Sequence, residues 1–407
     1  MATKSTLLCS FSHVVDNRPR HLSCIRPLPK FKSRLQPPKT PSCLATPSKN
    51  GRPGVFGTRT KFFSVSCASR EVAEMAPRVI AVVSKLDHPS LATLPVREDV
   101  KFLVANDMDT FLAFPEVDRI EAIVWVVPGD VATLEALWEK HQVKWIHSFS
   151  AGVDPIQGFL KNRLLTTDTI VTNGRSAFSS SLAEYTMAAA LHFNKQVPRL
   201  QANKQAHKWE NFVMPQLNGK TMGFLGFGDI AKATAKMAKE AFGMRVLALR
   251  RNTTKIQAEA HLVDHTFSID NEKLELFKQA DFVVCILPGT TQTQNFVSTA
   301  EFAAMKPDAI FISIGRGAAV DEAALEAALK AGTIAGAALD VFKKEPLAED
   351  HPLWTCPNLL LSSHNADFTA DYFPLGWSVM QANLEAFSTV GSTDMPYLTV
   401  VDKTAGY

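Results

Sequence analysis

Cysteine is scarce in this sequence, and its placement limits what the chain can be. The 407 residues include six cysteines, and four of them fall within the first 70 residues. The rest of the chain keeps only Cys285 and Cys356, which are too few and too far apart for a disulfide framework or a cysteine zinc site. We therefore expect no metal centre and a reducing compartment for the folded part of the chain.

Long apolar runs are also missing, although 46% of the residues are hydrophobic and 20% are charged. No stretch approaches the roughly 20 consecutive apolar residues that a membrane-spanning helix needs. A chain of this length has room for two or three domains of roughly 100 to 200 residues each. The composition therefore argues against an integral membrane protein and predicts a globular protein with more than one domain.

Acidic residues are nearly absent from the first 70 positions. This segment holds 13 Lys and Arg, 16 Ser and Thr and 8 Pro, but a single acid, Asp16, whereas residues 71–407 hold 30 Lys and Arg against 39 Asp and Glu. Such a leader without an apolar core is typical of an organelle transit peptide, and "MATKSTLL" favours a chloroplast over a mitochondrion. The alternative is a disordered nucleic-acid-binding arm, which the acidic body disfavours. We therefore expect 1–70 to be a transit peptide, with no nucleic-acid or membrane partner.

Short apolar runs alternate with helical patterns from about Arg78 onward. Five runs precede a long apolar helix at 180–196 and are predicted as strands at 78–86, 100–107, 121–130, 143–150 and 169–173. A second series begins with "KTMGFLGFGD" and ends with "NLLLSSHNAD". Alternation of strand and helix indicates parallel sheets covered on both faces. The pattern predicts an α/β fold with two doubly wound parallel-sheet domains.

A glycine motif opens the second series. "GFLGFGDIAKA" places Gly226, Gly228 and Ala231 in the G-x-G-x-x-A spacing, between an apolar strand and a helix. The first glycine allows a tight turn, the second lets the backbone approach a pyrophosphate, and a small third residue lets the helix pack closely. The anion would then lie on the free N–H groups of the helix N-terminus. The context predicts a dinucleotide site.

The next predicted strand, "MRVLALRR", ends in two arginines. Arg250 lies 22 residues after Gly228, where an acid would bind the adenosine ribose hydroxyls. A guanidinium there would instead bind a 2′-phosphate, to which its planar fork is matched. Arg250, with Arg251 and the following Asn252 and Thr253 as further donors, therefore favours NADP over NAD. The alternative is that both arginines are merely solvated.

Charged side chains follow three later predicted strands, where open α/β sheets bind their ligands. "FISIGRGAAVDEAAL" contains Arg316, "AALDVFKKEPL" contains Asp340 and Glu345, and "LLLSSHNAD" contains His364. Singly, each such residue is more often structural or solvated. In this order after the glycine motif, and with "CILPGTTQT" between, they resemble the successive blocks of the D-isomer-specific 2-hydroxyacid dehydrogenase family. The likeness covers about 77–400.

The resemblance implies an architecture. A Rossmann cofactor domain at 196–369 would be inserted into a discontinuous, flavodoxin-like substrate domain made of 77–195 and 370–407. Members of the family are usually homodimers, so the resemblance also implies a homodimer.

The family chemistry implies a role for each matching residue. His364 resembles the general acid that protonates the substrate carbonyl, and Glu345 resembles the partner that fixes its tautomer. Arg316 resembles the arginine that binds the substrate carboxylate and polarises the carbonyl. "VVPGDV" around Gly129 resembles the loop whose N–H groups bind that carboxylate, and "SAGVD" at 150–154 resembles the turn beside it. Positions that resemble cofactor-binding residues are Asp229 and Ile230 at the pyrophosphate, Asp340 at the nicotinamide carboxamide, and Leu287, Pro288 and Ile314 along the groove.

Departures from the family pattern bear on the substrate. Glu345 stands where formate dehydrogenases of the superfamily are expected to have glutamine, which disfavours formate. "SSHNAD" lacks the usual proline before the histidine and small residues after it, so Asn365 and Asp367 are expected to alter the pocket. Aromatic side chains that could fill this pocket, or pack in the core instead, are Phe368, Tyr372, Phe373 and Trp377.

The resemblance implies an oxidoreductase that transfers hydride from NADPH, or alternatively NADH, to a small 2-oxo acid. Glyoxylate and hydroxypyruvate are the first candidates, and the product would be the D-2-hydroxy acid. Three alternatives stay open: a bulkier substrate such as an aromatic pyruvate, a phosphorylated substrate, and a dinucleotide-sensing regulator similar to the C-terminal-binding-protein corepressors.

Overall fold

Two parallel β-sheets form the framework of the protein. The structure, a computed structural model, describes residues 76–251, 260–388 and 396–407. The predicted leader lies outside this part, as do Asn252 and Thr253. Five strands make the first sheet and seven make the second, and every strand pair within them is parallel. The predicted fold class is confirmed.

The first sheet has the order β2-β1-β3-β4-β5. Its strands are β1 (Arg78–Val83), β2 (Val100–Ala105), β3 (Ile120–Trp125), β4 (Trp145–Ser148) and β5 (Ile170–Asn173), with helices α1 (Met108–Leu112), α2 (Val131–His141) and α3 (Gln157–Phe159). This is the flavodoxin-like order expected of the substrate domain. Val79 to Val83 of β1 are fully buried. A strand covered on both faces is apolar throughout rather than alternating, as this one is.

The second sheet has the order β12-β11-β10-β9-β6-β7-β8. Its strands are β6 (Thr221–Leu225), β7 (Arg245–Arg250), β8 (His265–Ser268), β9 (Phe282–Cys285), β10 (Ile310–Ser313), β11 (Gly336–Leu339) and β12 (Leu359–Leu361). The helices that precede or join them are α4 (Ser179–Asn194), α5 (Val197–Gln205), α6 (Asp229–Glu240), α7 (Lys273–Gln279), α8 (Thr299–Ala304) and α9 (Glu322–Ala331). Strand order reverses between β6 and β9, and such reversals in doubly wound sheets mark the ligand crevice.

The chain returns to the first sheet after β12. Helix α10 (Tyr372–Ser388) buries Trp377, Met380 and Leu384 in one cluster with Ile80 and Val82 of β1. Trp377 is therefore a core residue, and its indole donates to Ser90 O at 2.8 Å. Neither α10 nor any other helix in the described part of the chain is long and apolar enough to cross a membrane.

The packing bears on the predicted domain limits, which stay predictions. Residues 399–401 lie along β5, with Val401 N donating to Val171 O at 2.8 Å, as a discontinuous first domain requires. Helix α4, however, falls within the predicted range 77–195 yet buries Met187 and Ala190 in a cluster with Met222 and Phe224 of the second sheet. Its apolar face therefore belongs to the second core.

One titratable group is enclosed in the first sheet. His147 of β4 is fully buried, and its Nδ1 lies 2.8 Å from Thr172 Oγ1 of β5. Among the described residues, its Nε2 has no hydrogen-bond partner. Burial lowers the pKa of His147 from 6.5 to about 3, because a charged ring there would lose its hydration. The native state therefore holds the ring neutral.

We predict that this histidine makes stability fall in mild acid. Below pH 6.5 His147 is protonated in the unfolded chain, but in the folded protein it stays neutral down to about pH 3. The free energy of unfolding therefore decreases as pH falls below 6.5. The slope from this group approaches about 1.4 kcal/mol per pH unit. Urea unfolding at pH 7, 6 and 5 should show a shallower decline for His147→Gln than for the wild type. His261→Gln, at an exposed position, should retain the wild-type slope, and equal slopes for all three proteins would contradict the prediction.

Candidate functional site

The candidate site lies at the carboxyl edge of the second sheet. The last residues of β6, β9, β10, β11 and β12 are partners in the strand register. The loops that follow these strands therefore begin side by side at the carboxyl edge of the sheet. Most of the sequence-predicted site residues are in these loops.

The glycine turn after β6 has the geometry that the motif predicts. Gly226 has a φ of +84°, and its N–H donates to Leu249 O at 3.1 Å. Gly228 is the N-cap of the twelve-residue helix α6, and no side chain among the described residues caps that helix. Ala231 is fully buried, as a small third residue should be. The turn and the uncapped N-terminus fit a dinucleotide pyrophosphate.

Asp229 and Ile230 begin helix α6 beside this turn. The Asp229 carboxylate accepts a hydrogen bond from Ser176 Oγ at 2.6 Å and lies 3.7 Å from Arg175 Nε. Both partners belong to the loop after β5, so this carboxylate links the glycine turn to the first sheet. Ile230 is partly buried against the core of the second sheet. Contact of either residue with a pyrophosphate stays a prediction.

Arg250, the last residue of β7, lies against the glycine turn. Its Nη2 donates to Phe227 O at 3.2 Å, and its guanidinium lies 5.6 Å from the Phe227 ring centroid. The guanidinium is thus held beside the motif that would receive the dinucleotide. The neighbouring Arg251 has its guanidinium 5.5 Å from the Tyr407 ring centroid, and its contact with a cofactor stays a prediction.

Leu287, Pro288 and Ile314 follow β9 and β10 on the other side of the turn. Leu287 and Ile314 are buried. A Cβ added to Gly226 would lie 3.4 Å from Leu287 Cδ2, so this leucine contacts the glycine turn directly. The three residues thus follow β9 and β10 near the point where strand order reverses, and their contact with a cofactor stays a prediction.

Arg316 follows β10 and reaches the first sheet. Its Nε donates to Asp154 Oδ2 at 3.0 Å and its Nη1 to Gly315 O at 2.9 Å. A Cβ on Gly152 would lie 1.8 Å from Arg316 Nη2, so the guanidinium packs directly on that backbone. Sequence reasoning missed Asp154 as a partner, and the only signal for it was its place in the "SAGVD" turn.

His364 and Glu345 form the predicted pair. His364 Nδ1 lies 2.7 Å from Glu345 Oε2, while Glu345 Oε1 accepts a hydrogen bond from Phe342 N at 2.9 Å. The imidazole is 43% exposed and stands at a residue with a φ of +51°. A carboxylate on Nδ1 fixes the proton there and leaves Nε2 as the nitrogen that can exchange a proton with a ligand.

Asp340 holds the turn that carries the histidine. Its carboxylate is 1% exposed and accepts hydrogen bonds from Ser362 Oγ at 2.6 Å, Asn365 N at 3.1 Å and Ala366 N at 3.2 Å. Tyr185 on α4 lies 2.6 Å from Ser362 Oγ through its hydroxyl. Sequence reasoning missed this structural role, and Tyr185 gave no signal because it lies in an apolar helix. The predicted contact of Asp340 with a nicotinamide stays a prediction.

Gly129 lies in the turn after β3. Its N–H donates to Val126 O at 2.6 Å and its carbonyl accepts from Trp125 Nε1 at 2.9 Å. A Cβ there would lie 2.5 Å from Val83 O, so only glycine fits. Gly129 has a packing role here. A substrate contact through its N–H stays a prediction, and it would require the bond to Val126 to open.

The sequence matches known proteins over most of the described part. Residues 187–366 match the family model for the D-isomer specific 2-hydroxyacid dehydrogenase, NAD binding domain. The chain is 33% identical over 290 residues to D-3-phosphoglycerate dehydrogenase of Methanocaldococcus jannaschii (69% of this chain, 54% of that protein). It is 38% identical over 206 residues to glyoxylate/hydroxypyruvate reductase B of Klebsiella pneumoniae (49% and 60%) and 33% identical over 279 residues to that of Pectobacterium carotovorum (67% and 83%). The chain thus spans little more than half the length of the first two curated relatives.

Solved structures share the whole architecture. A D-isomer specific 2-hydroxyacid dehydrogenase family protein from Aeromonas salmonicida is 26% identical, with a TM-score of 0.65 over 81% of this chain and 100% of that one. An NADPH-dependent glyoxylate/hydroxypyruvate reductase from Sinorhizobium meliloti, in complex with NADP and malonate, is 25% identical, with a TM-score of 0.62 over 81% and 98%. The chain belongs to the D-isomer specific 2-hydroxyacid dehydrogenase family and carries its NAD binding domain. The predicted family and dinucleotide cofactor are confirmed.

Within the described ranges, no group of three or more His, Cys, Asp or Glu side chains is placed to hold a metal ion.

We predict that the loop carrying Arg316 tolerates no side chain at Gly317. A Cβ at Gly317 would lie 1.9 Å from Phe342 C and 2.2 Å from Phe342 O, which are backbone atoms that cannot rotate away. Gly317→Ala should lower the free energy of unfolding by about 1 to 3 kcal/mol or more, as overpacking does. Gly158→Ala is the matched control, because a Cβ there would meet nothing within 4 Å. Calorimetry should show a lower Tm for the first variant only, and equal Tm values would contradict the packing described here.

Proposed function

We propose that this protein is an NADPH-dependent reductase of small 2-oxo acids, with hydroxypyruvate and glyoxylate as its first candidate substrates. The observation that carries the proposal is the 2.7 Å contact between His364 and Glu345 at the sheet edge that also bears Arg316 and the glycine turn. A proton donor, a carboxylate-binding cation and an anion-binding helix end are the groups that such a reduction requires.

The relatives support the substrate class. Two curated relatives at 33% and 38% identity are named glyoxylate/hydroxypyruvate reductase B, and a solved structure at 25% identity is a reductase of the same substrates. The first curated relative is instead named D-3-phosphoglycerate dehydrogenase. Membership of the family therefore does not distinguish an unphosphorylated from a phosphorylated substrate, and this distinction has to come from residues of this chain.

In the proposed reaction, Arg316, His364 and Glu345 have separate roles. Bound NADPH supplies the hydride. Arg316 binds the substrate carboxylate through a charge-assisted hydrogen bond and draws electron density from the adjacent carbonyl. His364 donates a proton from Nε2 to the carbonyl oxygen as it becomes a hydroxyl. Glu345, bound to Nδ1, holds the ring in the tautomer and orientation that this transfer needs.

The identity of Arg250 in the sequence and its position in the structure both support NADP as the cofactor of this chain. Arg250 stands where an acid would otherwise bind the ribose hydroxyls. Its position beside Phe227 places a positive charge at the end of the crevice where the adenosine ribose would bind. An acid at this point would repel a 2′-phosphate, whereas a guanidinium attracts it. NADH is the alternative cofactor.

We also propose import into a chloroplast, with a mitochondrion as the alternative, and assembly as a homodimer. The acid-poor leader supports the first proposal. The second has the family resemblance and the surface after α5 in its favour, where Trp209 is 94% exposed and Val213 is 84% exposed. Large apolar side chains grouped at a surface commonly mark a protein contact. No nucleic-acid or membrane partner is proposed.

Initial rates test the proposed reaction. The full chain should oxidise NADPH with hydroxypyruvate and glyoxylate, and with phenylpyruvate more slowly. His364→Ala should lower kcat by on the order of 100-fold or more while NADPH binding is retained. His261→Ala, at an exposed position, should behave as the wild type.

The outcomes separate the alternatives. Unchanged turnover in His364→Ala would remove the histidine from the mechanism, and faster turnover of phenylpyruvate would favour a bulkier substrate. Binding of NADPH without turnover of any 2-oxo acid would instead favour a dinucleotide-sensing regulator.

We predict that Arg250 sets the cofactor preference. Arg250→Asp should change the ratio of kcat/KM for NADPH over NADH by about tenfold or more towards NADH, because a charge-assisted hydrogen bond is replaced by repulsion. Arg245→Asp is the matched control, since it makes the same charge change at the other end of β7. If both variants kept the wild-type ratio, another basic residue would have to bind the phosphate.

A further inference from the structure

The histidine of the candidate site has a backbone conformation that needs support from its surroundings. His364 has a φ of +51°, in the left-handed region that residues other than glycine seldom adopt. A residue in this region keeps its conformation only where neighbouring groups hold it there. The orientation of the imidazole therefore depends on the contacts that hold the turn after β12.

Asp340 supplies these contacts on both sides of the histidine. His364 N donates to Asp340 O at 2.8 Å, and the next two amides, Asn365 N and Ala366 N, donate to Asp340 Oδ1 at 3.1 and 3.2 Å. The backbone before and after the imidazole is thus bound to a single residue. The position of the Asp340 carboxylate consequently determines the position of the turn.

Two hydroxyls hold that carboxylate from the side of helix α4. Ser362 Oγ donates to Asp340 Oδ1 at 2.6 Å, and the Tyr185 hydroxyl lies 2.6 Å from Ser362 Oγ. A serine hydroxyl has one proton to donate. Because Ser362 gives its proton to the carboxylate, Tyr185 is the donor in the second bond. The structure therefore contains a hydrogen-bond relay that runs from Tyr185 through Ser362 to Asp340.

The first member of the relay belongs to a helix that is itself fixed. The Tyr185 ring packs against the core of the second sheet, in which Met187 and Ala190 of the same helix are buried. Burial also raises the pKa of Tyr185 above its ordinary value, so the hydroxyl keeps its proton at neutral pH. Tyr185 is therefore a permanent donor whose position is determined by the packing of α4.

We propose that Tyr185 is a positioning residue for the reduction, whose hydroxyl acts through the relay to hold His364 where Nε2 can donate its proton to the substrate. The proposal rests on the proposed function, because Tyr185 affects the reaction only through the histidine. Without the Tyr185 hydroxyl, Ser362 Oγ loses its donor and can rotate away from Asp340. The carboxylate then holds the turn less firmly, and the imidazole spends less time in the productive orientation.

The test removes the hydroxyls of the relay one at a time in the full chain, with NADPH and hydroxypyruvate as substrates. Tyr185→Phe should lower kcat by about tenfold and leave KM within about twofold of the wild type, since misplacing a reacting group slows the chemical step. Ser362→Ala should show the same loss, whereas Ser362→Thr, which keeps a hydroxyl, should retain most of kcat. Tyr397→Phe is the matched control, because that ring packs on Trp145 of the first sheet. It should behave as the wild type.

A second background shows whether the effect passes through the histidine. In His364→Ala, Tyr185→Phe should change the residual kcat by less than about twofold, because no imidazole is left to position. A merely structural role would lower kcat by the same factor in both backgrounds. Hydrogen exchange of the Asn365 and Ala366 amides should also be faster in Tyr185→Phe than in the wild type, because their acceptor is held less firmly.

The outcomes separate this proposal from the proposed function. An active wild type whose kcat is unaltered in Tyr185→Phe, or falls equally in both backgrounds, overturns the positioning role and leaves the reductase intact. A wild type that turns over no 2-oxo acid overturns both. Circular dichroism shows whether Tyr185→Phe folds, and Ser362→Ala carries the same expectation, including its dependence on His364, if it does not.

Discussion

The parallel register of the second sheet is the constraint on which the candidate site depends. Leu225, Cys285, Ser313, Leu339 and Leu361 lie side by side across five strands. The loops that follow these residues therefore begin at the same height along the strand direction. Residues more than 100 positions apart in the chain thus lie at one edge of the sheet. A slip of one residue in any strand would move its side chains to the opposite face of the sheet and shift its loop along the strand direction, which would disrupt the arrangement.

This constraint explains why so much could be predicted from the sequence. Strands buried on both faces are continuous apolar runs, which makes their ends visible in the sequence. Gly226 and Arg316 each follow such an end, whereas His364 follows the partly buried edge strand β12. The sheet determines the rest of their placement. The flavodoxin-like first domain, with 370–407 returning to it, was implied by the family resemblance and not by the patterns.

What could not be predicted depends on contacts between distant side chains. The hydrogen bonds of Asp340 to the turn after β12 arise only once β11 and β12 are paired. The hydrophobic periodicity of α4 shows that the helix has an apolar face, but it does not specify which of the two sheets that face packs against. The tight turn at Gly129, closed by Val126 and Trp125, likewise depends on local geometry that spacing does not reveal.

The ion pair between Asp154 and Arg316 has a consequence for motion. The two side chains come from different sheets and are 41% and 33% exposed. A pair so open to water contributes roughly 0 to 1 kcal/mol, close to thermal energy. It therefore cannot hold the two sheets together, and its effect is on the orientation of the guanidinium. Separating the pair would leave the guanidinium with its bond to Gly315 O within its own loop. Under the proposed function, we therefore expect the arginine to be aligned for a substrate only while the two sheets are close.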